Sequence, residues 1–115
     1  MSDVMLTLIV PVALEGAIVD WLLDHIPERG FTSSLAFGHS EATDNMSLAE
    51  QVSGRRRGIR FEVVCCESEA GQHIEALRKD FAGTGIHFWL MPIMASGRLA
   101  SPASSPEPPE APSRG

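Results

Sequence analysis

The stretch Val4-Met5-Leu6-Thr7-Leu8-Ile9-Val10-Pro11 decides the fold: a near-continuous apolar run, broken only by Thr7 and stopped by proline. Such a run reads as a strand buried on both faces. Downstream of it, Leu14, Ile18, Trp21, Leu22 and His25 recur at helical spacing, with Val19, Leu23 and Ile26 widening the apolar face. That spacing predicts a first helix over 13–26, ended by Pro27 and Gly30. Asp20, Asp24 and Glu28 follow the opposite side and read as a solvated helix face.

Phe31, Ser33, Leu35 and Phe37 alternate with Thr32, Ser34 and Ala36, a second strand ending at Gly38. A third strand follows from Ile59, Phe61, Val63 and Cys65 alternating with Arg60, Glu62, Val64 and Cys66. Ala70, Ile74, Leu77 and Phe81 mark a second helix, with Ser68 as its expected N-cap and Glu75–Lys79 as an i,i+4 pair. Gly83 and Gly85 close it, and Ile86, Phe88 and Leu90 alternate with His87, Trp89 and Met91 in a fourth strand. Pro92 marks that strand as ending at, or lying on, a sheet edge.

The order β-α-β-β-α-β is that of an α+β, ferredoxin-like sandwich, with both helices on one face of a four-stranded antiparallel sheet. Whichever face the first strand gives the helices, it offers Leu6, Leu8 and Val10 or Met5 and Ile9 to the other. A solvated face should alternate more cleanly. The second face is therefore expected to be buried between subunits of a homo-oligomer, with Arg60, Glu62 and His87 among its polar members.

The chain of 115 residues carries 9 basic and 15 acidic side chains, a net charge of −6. That balance argues against nucleic acid as a whole-surface partner. No apolar run is long enough to span a membrane and the start lacks the basic character of a signal peptide, so the expected location is cytoplasmic with no membrane insertion. The neighbours Cys65 and Cys66 are expected as reduced thiols, because a disulfide between them would be strained. From 99 to 115 the text turns to proline, serine and alanine, which predicts a folded domain over 1–98 and a disordered tail over 99–115.

Residues 39–57 join strands two and three, far more than a hairpin turn requires, so this loop is expected to carry function. Ser47-Leu48-Ala49-Glu50 within it has capping-box spacing. Arg55, Arg56, Arg57 and Arg60 gather at its exit, where guanidinium groups suit phosphate or carboxylate. Gly83-Thr84-Gly85 offers backbone N–H groups to a phosphate or, alternatively, caps the second helix. His39 and His87 are the histidines best placed as metal ligands, whereas His25 and His73 fall on helices. No motif assembles a nucleophile with a base, and a non-enzymatic protein is expected.

The element order, the long loop, the Gly83-Thr84-Gly85 turn and the closing Met91-Pro92-Ile93-Met94-Ala95-Ser96-Gly97-Arg98 resemble the PII signalling-protein superfamily. Leu6-Thr7-Leu8-Ile9-Val10-Pro11, Gly30-Phe31-Thr32-Ser33, Gly38-His39-Ser40, residues 47–55 and Gly85-Ile86-His87-Phe88-Trp89 are similar to an uncharacterised PII-like family. Members of that family are often encoded beside heavy-metal efflux pumps of the resistance-nodulation-division type. The resemblance implies a homotrimer with ligand sites between subunits, where PII proteins hold adenine nucleotides. The matching positions are Gly38, His39, Gly83, Thr84, Gly85 and, more loosely, Arg98. The lysine that follows the glycine turn in PII proteins is here Ile86-His87, and the chain has no tyrosine to match the one modified in some PII loops.

Three functions are compatible with this reading. One is a regulatory sensor that binds a small ligand, such as an adenine nucleotide, and signals through loop 39–57, in connection with heavy-metal efflux. Another is a metal-binding accessory protein using His39 and His87 for a divalent ion. The third is a ligand-free interaction module that docks on an efflux pump through the same loop.

Overall fold

A computed structural model describes residues 2–39 and 55–99. Most of the long loop (40–54), including its capping-box stretch, and most of the expected tail (100–115) lie outside the described residues. The chain forms β1 (Asp3–Pro11), a 3-10 turn (Val12–Leu14), α1 (Glu15–His25), β2 (Thr32–His39), β3 (Arg55–Cys66), α2 (Glu67–Asp80) and β4 (His87–Ile93). The strands make one antiparallel sheet in the order β2-β3-β1-β4. This is the expected ferredoxin-like sandwich.

The register settles which face of β1 meets the helices. Val4, Leu6, Leu8 and Val10 stand beside Cys65, Val63, Phe61 and Ile59 of β3, and all eight are buried. Ile18, Trp21 and Leu22 of α1, Ile26 just beyond it, and Ala70 and Leu77 of α2 close over them. Burying such side chains is worth roughly 1.5–3 kcal/mol each and is the main force holding helices to sheet. The opposite face carries Met5, Thr7 and Ile9 from β1, Arg60 and Glu62 from β3, and His87, Trp89 and Met91 from β4. Arg60, Glu62 and His87 thus lie on the open face, as expected, and no helix among the described residues covers it.

Several boundaries differ from the sequence-based expectation, each for a local reason. The first helix begins at Glu15, not residue 13, because the chain leaves Pro11 through the 3-10 turn. β2 starts one residue after Phe31 and runs to His39. β3 begins at Arg55, four residues before Ile59, because Arg55, Arg56 and Arg57 pair with His39, Gly38 and Phe37. α2 begins at Glu67, whose N–H donates to the Ser2 carbonyl at 2.8 Å, so Cys66 takes the cap position in place of Ser68. Glu75 meets Arg78 at 3.5 Å, the i,i+3 partner, where Lys79 was expected. Pro92 lies inside β4, which it can do because β4 is an edge strand.

Trp21 joins the two helices. Its indole N–H donates to Asp80 Oδ2 at 2.9 Å. His25 stacks on its ring at 3.9 Å, and His73 meets it edge-on at 6.5 Å. His25 and His73 are therefore packing residues of the helical layer. At the far end of the sheet, Asp3 receives Arg29 on one carboxylate oxygen and Ser96 on the other, both at 3.1 Å. The Arg29 guanidinium holds the Asp3 carboxyl below its ordinary range.

Candidate functional site

The end of β2, the start of β3 and the start of β4 converge on a cleft of about 360 Å³ at one end of the sheet. Gly38 and His39 contribute from β2, Arg56, Arg57 and Gly58 from β3, and Gly85, His87 and Trp89 from the last turn and β4; Ile9, Val10 and Pro11 form the floor. Among the described residues the lining contains two arginines, two histidines and one indole, and no carboxylate. Such a set attracts an anion, and Trp89 supplies an apolar wall against which a flat group can rest.

Backbone close approach shapes the floor. A Cβ on Gly58 would lie 3.1 Å from the Val10 carbonyl oxygen, so the glycine lets β3 press against β1 where the cleft opens. Gly83 and Gly85 have φ of 76° and 84°, which turns the chain sharply from α2 into β4. Thr84 serves this turn: its hydroxyl donates to the Phe81 carbonyl at 2.7 Å, as does its N–H at 3.3 Å. The helix-capping alternative therefore describes Thr84, while Gly85 reaches the cleft.

The other sequence-derived candidates are placed as follows. Gly83 borders a second cavity of about 190 Å³ on the helix side, lined by Leu77, Phe81, Ile86 and Phe88, and Gly85 borders both cavities. Arg55 pairs with His39 at the cleft end of the sheet. Arg56 and Arg57 follow one another along a strand, so they start from opposite faces and reach the cleft around the sheet's end. Arg98 lies beyond Ile93, at the Asp3 end of β4, and is exposed, away from the cleft of its own chain. His39 and His87 share the cleft, but among the described residues no group of three or more His, Cys, Asp or Glu side chains could hold a metal ion.

Gly58 and Trp89 were not among the candidates read from the sequence. Trp89 was accessible to that reading, because residues two apart on a strand share a face and His87 was already chosen. Gly58 was not, since only the β1–β3 pairing reveals its contact with Val10. Cys65 and Cys66 are free thiols, with Cys65 buried and its thiol pushed up by that burial. No helix among the described residues is long and apolar enough to cross a membrane.

The sheet order and the one-sided helices define a ferredoxin-like α+β sandwich. The profile of the family described as "Protein of unknown function (DUF3240)" matches residues 1–100, and the chain belongs to that family. Among solved structures it is similar to a DUF3240 family protein from Shewanella baltica, at 22% identity and TM-score 0.68, covering 87% of this chain and 99% of that one. It is also similar to a functionally unknown protein from Pediococcus pentosaceus, at 12% identity and TM-score 0.63, covering 86% and 99%. A putative PII-like signalling protein from Thermus thermophilus shares 16% identity at TM-score 0.56, covering 81% and 91%. At these identities the likeness is one of fold. No curated protein matches the chain.

Proposed function

We propose that this protein is a non-enzymatic, cytoplasmic PII-like regulator. It forms a homotrimer, binds a small anionic ligand in the cleft at the ends of β2, β3 and β4, and displays occupancy through the loop that follows His39. The observation that carries this reading is the convergence of Arg56, Arg57, His39 and His87 beside Trp89 on one cleft. An adenine nucleotide has the matching chemistry: phosphates for the guanidinium groups and a flat base for the indole. Gly38, His39, Arg55, Arg56, Arg57, Gly85 and His87 hold the ligand; Gly83 and Thr84 form the turn that sets Gly85; and Arg98 reaches a cleft only from a neighbouring copy. Ligand binding that orders the loop changes the surface shown to a partner, here a heavy-metal efflux protein.

A second reading, supported by the shared placement of His39 and His87, is a divalent-metal site completed by groups from outside the described residues or from another copy. Thermal unfolding separates the two. A ligand of the folded state at a hundred times its Kd stabilises by about 2.7 kcal/mol, enough to move the melting temperature by several degrees. ATP, ADP, AMP or cyclic AMP should raise it, and Arg56→Gln with Arg57→Gln should abolish that rise. A shift with zinc, copper, nickel or cobalt alone, lost in His39→Ala with His87→Ala, would replace the anion reading by the metal reading. No shift with either class would leave the ligand-free interaction module.

A further inference from the structure

The positive charge of this acidic chain is gathered in one place. Arg55, Arg56, Arg57 and Arg60 on β3 are four of its nine basic residues, while Arg29 is held by Asp3 and Arg78 meets Glu75. The cleft at the ends of β2, β3 and β4 takes two of the four, Arg56 and Arg57, and sets them beside Trp89, which is 42% exposed. Guanidinium groups next to an exposed indole suit an acidic, proline-rich peptide, whose carboxylates pair with arginine and whose rings lie on the aromatic face.

One segment of this same chain has that composition. Pro106-Glu107-Pro108-Pro109-Glu110 lies outside the described residues and carries the only acidic side chains after Asp80. We propose that this segment seats in the cleft of its own chain, with Glu107 and Glu110 toward Arg56 and Arg57 and the prolines between them on Trp89. The proposal rests on the anion-attracting cleft advanced above and names what occupies it before a ligand arrives.

The spacing of the charges fits. Polyproline II, the form that proline-rich sequence prefers, has three residues per turn, so Glu107 and Glu110 leave the same edge about 9 Å apart with Pro108-Pro109 between them. Arg56 and Arg57 are neighbours on a strand and start from opposite faces, so their guanidinium groups approach the cleft from two sides. Two separated carboxylates thus meet two separated cations.

The reach of the chain fits as well. Ser96 is fixed at the far end of the sheet, where its hydroxyl donates to Asp3 Oδ2 at 3.1 Å. Asp3 opens β1, and Pro11, which ends it, lies on the floor of the cleft. At about 3.3 Å per residue the two ends of that strand are about 26 Å apart. A polyproline II chain from Ser96 to Glu107 spans about 34 Å, which covers the distance and leaves slack for passing around the sheet. A tether of this length holds the segment at an effective concentration in the millimolar range, so even a weak contact competes with a ligand for the cleft.

Nuclear magnetic resonance of the full chain tests the seat, with pyrophosphate as the anionic probe. Wild type is compared with Glu107→Gln plus Glu110→Gln and with Glu107→Asp plus Glu110→Asp; neither position belongs to the core, so the fold is kept. The two indole N–H signals are told apart by Trp89→Phe. The glutamine pair should move the Trp89 signal and leave that of Trp21, and the aspartate pair should keep the wild-type position. Pyrophosphate should bind the glutamine pair about fivefold more tightly than wild type. A Trp89 signal identical in wild type and the glutamine pair would overturn the seat, and equal pyrophosphate affinity in those two proteins would then leave the anion-binding reading standing. A Trp89 signal that moves while pyrophosphate binds neither protein would support the seat and remove that reading.

Discussion

The indole N–H of Trp21 in α1 donates to the carboxylate of Asp80, the last residue of α2, at 2.9 Å. One hydrogen bond thus ties the end of the second helix to the middle of the first. Asp80→Ala should lower unfolding stability by about 1 kcal/mol, the usual worth of such a bond. Trp21→Ala also removes a buried aromatic side chain and should cost about 3–5 kcal/mol. Chemical denaturation of both variants checks the ordering, and equal losses would contradict it.

The Asp3–Arg29 pair predicts an acid limb of stability. The folded-state pKa of Asp3 is depressed, chiefly by the Arg29 hydrogen bond, so its contribution is fully present above the ordinary carboxylate pKa. It is lost as pH falls through the depressed value. Wild type should therefore lose more stability than Asp3→Asn in the range below about pH 4. Parallel pH profiles for the two proteins would count against the pair.

Cysteine labelling should divide by burial. Cys66 is half-buried at the edge of α2 and should react with an aromatic disulfide reagent in the native protein. Cys65 is buried, with its thiol pushed up by burial, and should react only on unfolding. Cys66→Ser should thus remove native-state reactivity, whereas Cys65→Ser should leave it.

Gly58→Val places methyl groups where Val10 approaches. A Cβ there would already lie 3.1 Å from a backbone oxygen that cannot rotate aside. The cost should be about 1–3 kcal/mol, and any ligand of the adjoining cleft should bind more weakly. Unchanged stability and affinity would mean that β3 shifts freely against β1.

These outcomes mark what a single sequence can convey. The order of elements was legible because β1, α1, β3 and α2 each carry a clean period, and Leu6, Leu8, Phe61 and Leu77 occupy the expected core. The face of β1 was not, since Met5 and Ile9 are as apolar as Leu6 and Leu8, and only pairing with β3 and packing under the helices decides between them. The arginine run looked like loop because it lacks apolar alternation; hydrogen bonding to Phe37, Gly38 and His39 makes it strand. Gly38, His39, Gly85 and His87 line one cleft, and each stands at a strand end or turn, a position that chain order alone can indicate. Arg98 shows the limit: chain order gives its distance along β4 but not the end of the sheet to which β4 carries it.

The central claim is that the uncovered face with Met5, Ile9, Trp89 and Met91 is buried by identical chains. Sedimentation equilibrium of the full chain at micromolar concentration tests it most directly. A particle about three times the 12.4 kDa chain mass is the predicted result, and a single 12.4 kDa species across the concentration range would contradict it.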